Sequence, residues 1–245
     1  MISFFANRGG SGEIRGWQMS EYLGAYLNPA DGYERDVCIW VKRPPPDDHP
    51  ESTYLDIVDA HERVGWLVRH EDVGVIASSV SGQRYLQEKL GRHVVYIPQH
   101  HCNIERAPHV KRDPLRLGVV GGKASAPPDD FGVTWWGKCR TREDVVSAYG
   151  QIDVQVIWRQ TNRPLKNPLK IINAASFGIP TIAYPEPGYE EMEGWYVPAK
   201  TKEQVEESLE ALRAGGIETV WNEGRLLEKA EEYHIDHIAQ RYLEL

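Results

Sequence analysis

The 245-residue sequence predicts an α/β protein with two Rossmann-like, doubly wound parallel-sheet domains. Two observations predict this fold. Short apolar runs alternate with segments of helical periodicity, as in strands joined by crossover helices. A glycine-rich turn follows the first apolar run, and the same opening recurs at 115–122 after the polar stretch 99–114. That stretch is typical of an interdomain linker, so we predict domains at 1–105 and 106–245.

In the first half, four apolar runs predict buried strands, and spacings of three and four residues predict the helices between them. The predicted elements are a strand at 1–7, a helix through 19–27, a strand at 37–42, a helix around 54–61, a strand at 73–79, a helix at 83–90 and a strand at 93–98.

The second half repeats the alternation and ends in helices with one apolar stripe each. The predicted elements are strands at 115–122 and 133–138, a helix at 141–149, a strand at 153–158, a helix beginning at 167–168, strands at 180–184 and 195–199, and helices around 205–212 and 235–242.

Bulk composition restricts the partners and the location of the protein. The formal charge of -8 and the pI of about 5.6 disfavour nucleic acid and anionic membranes as partners. No apolar stretch approaches the ~18 residues of a membrane span. The odd set Cys38, Cys102 and Cys139 fits a reducing compartment better than a disulfide framework, so we expect a cytoplasmic protein.

The helix that follows the strand 153–158 carries a lysine in its first turn. Asn167 is its predicted N-cap and Pro168 its first residue, and Lys170 and Asn173 share one face. A lysine there costs about 0.3–1 kcal/mol against the helix dipole, and a bound anion reverses that cost. The alternative is that the ammonium of Lys170 extends into water, where the penalty is screened.

Residues 165–191, LKNPLKIINAASFGIPTIAYPEPGYEE, resemble the donor-site segment of glycosyltransferases with two Rossmann domains, the GT-B superfamily. The resemblance implies that the two domains face a cleft and that Lys170 faces the diphosphate of a nucleotide-sugar there. It also implies that Asn173 occupies the position of a glutamate that binds the ribose in many retaining members. Leu165 stands where such members often carry another glutamate, so retention and inversion both stay open.

The same resemblance extends the donor site to the ends of other predicted strands. Ligands of open parallel sheets gather there. Lys123 would be a second phosphate contact, and acidic residues would accept hydrogen bonds from sugar hydroxyls. The full set of predicted donor-binding residues is Gly121, Gly122, Lys123, Arg159, Lys166, Lys170, Asn173, Glu186 and Glu190.

The loop NRGGSGEIRG, residues 7–16, is predicted to face the acceptor. Gly10 and Gly12 allow close backbone approach, and Arg15 could bind a phosphate or carboxylate of the acceptor. Glu13 is the nearest carboxylate for a general base if the reaction inverts, although an acidic residue also simply stabilises a first helical turn. His100 is a candidate substrate contact, or else part of a structural hinge.

The sequence lacks the common motifs for binding metals, ATP and nicotinamide cofactors. Residues 99–103, QHHCN, lack the ligand spacing of a metal site. The glycine-rich turns match neither G-x-x-x-x-G-K-[ST] nor G-x-G-x-x-G, which disfavours ATP hydrolysis and a standard nicotinamide site. We therefore expect a nucleotide-sugar as co-substrate and no obligatory metal.

The predicted function is that of a glycosyltransferase of the hexosyltransferase class that moves a sugar from a nucleotide-sugar to an unidentified acceptor. The alternatives are a catalytically inactive GT-B-like binding or scaffold protein, and a sugar-nucleotide epimerase. Transfer to nucleic-acid bases is disfavoured by the acidic charge.

Overall fold

Two parallel sheets organise the chain in a computed structural model that describes residues 1–128, 131–137, 139–214 and 222–245. Unit 1 comprises Met1–His100, Arg163–Asn167 and Ile235–Leu245, and unit 2 comprises His101–Asn162 and Pro168–His234. The units differ from the predicted ranges at 101–105, 163–167 and 235–245. Tertiary packing explains the last two differences, because Leu165 enters the core of unit 1 and the Tyr242 ring packs edge-on against Phe4.

The sheet of unit 1 contains six parallel strands in the order β2-β1-β3-β4-β5-β6. They are β1 Ile2–Phe5, β2 Tyr26–Leu27, β3 Val37–Val41, β4 Thr53–Asp56, β5 Gly74–Ala77 and β6 Val95–Tyr96. The order reverses direction beside β1, which places a topological switch point between β1 and β3.

The helical segments of unit 1 differ from the prediction in two places. They are α1 Gly10–Gly12, a π-helix Glu13–Gln18, α2 Met19–Leu23, a 3₁₀ turn His61–Arg63, α3 Val64–Leu67, α4 Val80–Leu90 and the carboxyl-terminal helix Ile235–Leu243. The predicted helix 19–27 ends at Leu23, because Gly24 takes a left-handed φ of 62° and β2 follows. The predicted helix at 54–61 is wrong, since Thr53–Asp56 pairs with both β3 and β5 as a strand.

Unit 2 contains five parallel strands in the order β8-β7-β9-β10-β11. They are β7 Leu117–Val120, β8 Thr134–Trp136, β9 Val154–Ile157, β10 Thr181–Ala183 and β11 Val197–Pro198. Of the predicted strand 133–138, Lys138 lies outside the described residues. Numbered within the unit, the order is 2-1-3-4-5, a doubly wound arrangement whose switch point lies between β7 and β9.

The helices of unit 2 follow the predicted alternation. They are a 3₁₀ turn Lys123–Ser125, α5 Arg142–Tyr149, α6 Leu169–Ala175, a 3₁₀ helix Pro187–Met192, α7 Lys202–Arg213 and α8 Glu223–Glu231. The cap of α6 differs from the prediction by one position, because Pro168 is the N-cap. Asn167 instead belongs to unit 1, where its Nδ2 donates a 3.1 Å hydrogen bond to Ser78 Oγ.

Apolar side chains bury α6 on most sides, as its sequence predicts. Ile171, Ile172, Ala174 and Ala175 are each about 1% exposed or less. Such burial fixes the helix against the sheet and therefore fixes the position of its first turn. Within the described part of the chain, no helix combines the length and the apolarity that crossing a bilayer requires.

Candidate functional site

The carboxyl ends of three neighbouring strands in unit 2 carry most of the predicted donor-binding residues. Gly121, Gly122 and Lys123 follow β7, Arg159 follows β9 by two residues, and Glu186 follows β10 by three. Because parallel strands end at the same edge of a sheet, these residues gather beside the switch point between β7 and β9. Ligands of open parallel sheets bind at such points.

Gly121 and Lys170 lie in direct proximity at this edge. A Cβ atom built on Gly121 would be 2.9 Å from Lys170 Cε and 3.1 Å from Lys170 Nζ. Gly121 also has a φ of 116°, which side chains rarely adopt. Glycine is therefore required both by the backbone turn and by the space that the lysine side chain occupies.

Hydrogen bonds hold both sides of this contact in place. The indole Nε1 of Trp135 donates a 2.7 Å bond to the Gly121 carbonyl oxygen. Buried Gln155 in β9 donates a 2.9 Å bond from Nε2 to the Lys170 carbonyl oxygen, which also accepts a bond from the Tyr149 hydroxyl at 3.3 Å. These bonds anchor the first turn of α6 to the central strand. Lys123, which follows Gly121 closely in the sequence, is exposed.

Arg159 and Glu186, both predicted to contact the donor, are partners of each other. Arg159 donates to the two carboxylate oxygens of Glu186 at 2.7 and 2.8 Å, and Thr161 Oγ1 adds a 3.1 Å bond. The side chain of Glu186 is fully buried. A ligand would have to open this bidentate pair before it could contact the Glu186 carboxylate. Glu190 lies in the following 3₁₀ helix and is partly exposed.

The structure gives Asn173 a different role from the predicted ribose contact. Its side chain is buried, and its Oδ1 accepts a 2.9 Å hydrogen bond from the backbone N–H of Cys102. The amide therefore fixes the polar stretch that precedes β7. Asparagine suits this task because its carbonyl satisfies a buried backbone donor without introducing a charge.

Arg15, predicted to bind an acceptor, is instead in the interior of unit 1. It is 1% exposed, and its Nε donates a 2.5 Å bond to Oδ2 of the fully buried Asp56. The Tyr242 hydroxyl donates a 3.1 Å bond to the same oxygen. Burial, the largest single effect, lowers the pKa of Arg15, but the charge and hydrogen bond of Asp56 together with Tyr242 and Tyr96 outweigh burial and raise it, so the guanidinium stays protonated.

The other predicted residues near the first glycine turn are placed as follows. Glu13 begins the π-helix and lies partly exposed, with Oε1 3.4 Å from Nη1 of Arg8. His100 is buried and its Nε2 bonds to the Ile14 carbonyl oxygen at 3.1 Å, so it supports this helix instead of facing a ligand. Gly10 has a φ of 54° with open space around it, whereas a Cβ on Gly12 would lie 2.2 Å from the Asn7 carbonyl oxygen.

Lys166 belongs to unit 1 and pairs with an acidic residue that the sequence reasoning did not single out. Its Nζ is 2.5 Å from Oδ2 of Asp59, and Nζ of Lys42 is 2.6 Å from Oδ1. Burial alone would raise the pKa of Asp59, but the two lysines outweigh burial and lower it to about 2. Asp59 follows β4 by three residues, and recognising that strand would have pointed to it.

Replacing Asp59 with Asn is expected to destabilise unit 1 in a pH-dependent way. The folded pKa of about 2 lies below the usual 3.8, so the pairing stabilises the fold above pH ~4 and is lost as the pH falls through ~2. After allowance for solvent screening, we expect a loss of about 1–2 kcal/mol at pH 7. Urea unfolding of wild type and Asp59→Asn from pH 7 to pH 2 measures it, and a pH-independent difference would contradict the assignment.

Among the residues that the structure describes, no group of three or more His, Cys, Asp and Glu side chains has the proximity that a metal ion needs.

Similarity to known proteins is found in structure and not in sequence. No family model matches the chain, and no curated protein matches it. A glycosyltransferase from Rickettsia africae superposes with a TM-score of 0.64 at 9% identity, covering 99% of this chain and 97% of its own. Anabaena HepE in complex with UDP gives 0.62 at 13% identity, with 99% and 98% covered.

A longer structure, the GtfA/B complex, gives a TM-score of 0.57 at 11% identity, covering 86% of this chain. The present chain spans only 52% of the chain that it matches there. At such identities the similarity shows the fold alone. The resemblance that residues 165–191 predict is confirmed at that level: the chain has two parallel-sheet α/β units like those of GT-B-type glycosyltransferases.

Proposed function

We propose that the protein is a glycosyltransferase that binds a nucleoside diphosphate-sugar at the carboxyl edge of the unit 2 sheet. The observation that carries this proposal is the Gly121–Lys170 contact, which places an ammonium group against a glycine turn at the switch point between β7 and β9. Structural neighbours support a uridine nucleotide, since Anabaena HepE was solved with UDP and with UDP-glucose, and pneumococcal GtfA with UDP and GlcNAc.

In the proposed reaction, the bond between the anomeric carbon and the phosphate oxygen breaks and the diphosphate leaves with an added negative charge. The ammonium groups of Lys170 and Lys123 stabilise that charge, and Gly121 lets the diphosphate approach the backbone. Charge stabilisation by two lysines is the reason that we propose no obligatory metal. In an inverting reaction the acceptor oxygen forms the new bond to the anomeric carbon, and the partly exposed carboxylate of Glu13 is proposed to accept the proton of that hydroxyl.

A second candidate is a binding protein of the same fold without transferase activity. The Arg159–Glu186 pair and the Asn173–Cys102 bond favour it, because they occupy three side chains that donor recognition was predicted to use. The epimerase alternative shares the nucleotide-sugar ligand and differs in its product.

Calorimetric titration with UDP, GDP and ADP tests the proposal. We expect UDP to bind, and Lys123→Ala to weaken binding by about 3–10-fold because one charge-assisted contact is lost. Lys111→Ala is the matched control, since Lys111 is exposed and precedes β7, at the opposite edge of the sheet. We expect its affinity to equal that of wild type.

The outcomes separate the candidates. Absence of binding to all three nucleotides contradicts the transferase and supports the binding protein. If UDP binds, incubation with UDP-glucose and no acceptor distinguishes the two enzymes: slow release of free UDP and sugar supports a transferase, whereas conversion to an epimeric UDP-sugar without release supports an epimerase.

A further inference from the structure

Unit 1 contains a cluster of cations around one carboxylate, which we call the Asp59 cluster. It consists of Lys42, Asp59, His61, Arg163 and Lys166, all within unit 1. Lys42 directly follows β3 and Asp59 follows β4, so the cluster lies at the carboxyl edge of this sheet, next to the strand pair β1–β3 where the order reverses.

The charge of the cluster is positive although the protein is acidic. Lys42 and Lys166 contact the carboxylate of Asp59, and Arg163 is close enough to His61 to lower the pKa of its ring. Glu62, the next nearby acid, lies 3.9 Å from Arg63 and is itself compensated. The formal charge of the whole chain is -8, so excess cations at one sheet edge run against the average composition.

The geometry leaves donors of the two lysines available. Each ammonium group has three N–H donors and contacts one oxygen of Asp59, at 2.6 Å for Lys42 and 2.5 Å for Lys166. Asp59 therefore acts as a spacer that holds two ammonium groups side by side. Both lysine side chains retain access to solvent, being 39% and 20% exposed, so an incoming oxyanion could reach their remaining donors.

His61 adds a neutral polar group. Burial lowers its pKa, and the nearby Arg163 and Lys166 lower it further, so the ring is uncharged at neutral pH. Its Nε2 is buried and has no hydrogen-bond partner among the described residues, so it is an unsatisfied polar atom beside the cluster.

Two residues with strained backbone conformations lie at the Asp59 cluster. Lys42 has a φ of 61° and Val58 a φ of 50°, both in the left-handed region that favours glycine. A β-branched valine there is a pronounced outlier, and such conformations cost roughly 1–3 kcal/mol each. Two strained residues at the ends of adjacent strands flank the cluster, which is the pattern expected where a fold gives up stability to position a binding group.

From these observations we infer that the Asp59 cluster is a phosphate-binding site, and that the acceptor of the transferase carries a phosphate group. The inference rests on the proposed function in naming the acceptor class, but the anion site itself does not depend on it. The partly exposed ammonium groups of Lys42 and Lys166, with the charge of Arg163 nearby, suit a phosphate with its several oxygens better than a single carboxylate.

Titration calorimetry with inorganic phosphate, at ionic strength held constant with chloride, tests the site. The titration is carried out with wild type and with the Lys170→Ala variant of the whole chain. In the variant, anion binding at the proposed nucleotide site of unit 2 is weakened, so the remaining binding reports on unit 1. We expect phosphate to bind both proteins with a dissociation constant of about 1 mM. Lys166→Gln should weaken binding by about fivefold or more, and Arg163→Gln by about threefold.

Arg35→Gln is the matched control for Arg163→Gln, because Arg35 is exposed in unit 1 and precedes β3, at the opposite edge of the sheet. Arg163 is exposed as well, so its substitution leaves the core intact. The inference is overturned if phosphate fails to bind at tens of millimolar, or if Arg163→Gln and Arg35→Gln bind alike. It is also overturned if Lys170→Ala abolishes phosphate binding while the substitutions in the Asp59 cluster leave it unchanged, because the phosphate would then bind in unit 2.

These measurements test the nucleotide site and the phosphate site separately. UDP affinity should be unchanged in Arg163→Gln, and phosphate affinity of the Asp59 cluster should be unchanged in Lys170→Ala. If wild type does not bind UDP, the proposed function is rejected, but the phosphate site in unit 1 is not. Glycerol 3-phosphate and vesicles of phosphatidylglycerol, against phosphatidylcholine vesicles, then distinguish a soluble phosphate ester from a lipid headgroup as the source.

Discussion

Replacement of Asp56 by Ala is expected to lower the free energy of unfolding of unit 1 by about 3–5 kcal/mol, the usual effect of breaking a buried ion pair from one side. Arg15 is 1% exposed, and its Nη1 and Nη2 have no hydrogen-bond partner among the described residues. Removal of Asp56 would therefore leave a guanidinium in the interior with no anion beside it. The Tyr242 hydroxyl would lose its acceptor as well.

Urea unfolding measures this effect, and hydrogen exchange of amides in β1 and β4 assigns it to unit 1. Glu105→Ala is the control, because it removes an exposed pair with Arg142 and should cost no more than about 1 kcal/mol. The double variant Arg15→Met with Asp56→Leu should recover most of the loss, since both charges leave together. Equal costs for Asp56→Ala and Glu105→Ala would contradict the buried ion pair.

Replacement of Lys170 by Ala is expected to weaken UDP binding by about 10–100-fold, which corresponds to about 1.4–2.7 kcal/mol. Its ammonium is the charge held against the Gly121 turn, whereas Lys123 is exposed and less constrained. Calorimetric titration measures the affinity, and a thermal melt checks that α6 remains folded. Lys111→Ala should bind UDP as wild type does. Equal affinities of Lys170→Ala and Lys111→Ala would exclude Lys170 from the site.

Gly121→Ala tests the same contact without removal of a charge. The new methyl group would lie 2.9 Å from Lys170 Cε, so the flexible lysine end must move, and the φ of 116° adds backbone strain. We expect UDP affinity to fall by about tenfold or more. Gly122→Ala is its control, because nothing lies within 4 Å of a Cβ there and its φ of -58° is allowed for alanine. Similar losses in both variants would mean that the turn, and not the lysine, is affected.

The alternation of strands and helices was predictable because both sheets are parallel and buried. Buried parallel strands read as nearly continuous apolar runs, and β9 has that pattern apart from Gln155. The start of α6 was predictable to within one residue from an Asn-Pro pair. β4 was missed because Tyr54, Ile57, Val58 and His61 fit a helical spacing by chance, and only pairing with β3 and β5 decides between the two structures.

The proximity of Lys170 to Gly121 was predictable in outline, since both follow strands that the sequence identifies. Arg15, Lys166 and His100 show where such reasoning stops. Each is polar and lies near a predicted strand end, yet Arg15 and His100 are buried and Lys166 pairs with Asp59. The partners of Arg15, Lys166 and His100 lie 41, 107 and 86 positions away along the chain, a relation that only the folded chain establishes.

A crystal structure of the protein soaked with UDP measures the nucleotide site most directly. We predict a diphosphate oxygen within about 2.7–3.2 Å of Lys170 Nζ, beside Gly121 at the carboxyl ends of β7 and β9. UDP bound elsewhere, or a Lys170 ammonium directed away from the diphosphate, would contradict the proposed site.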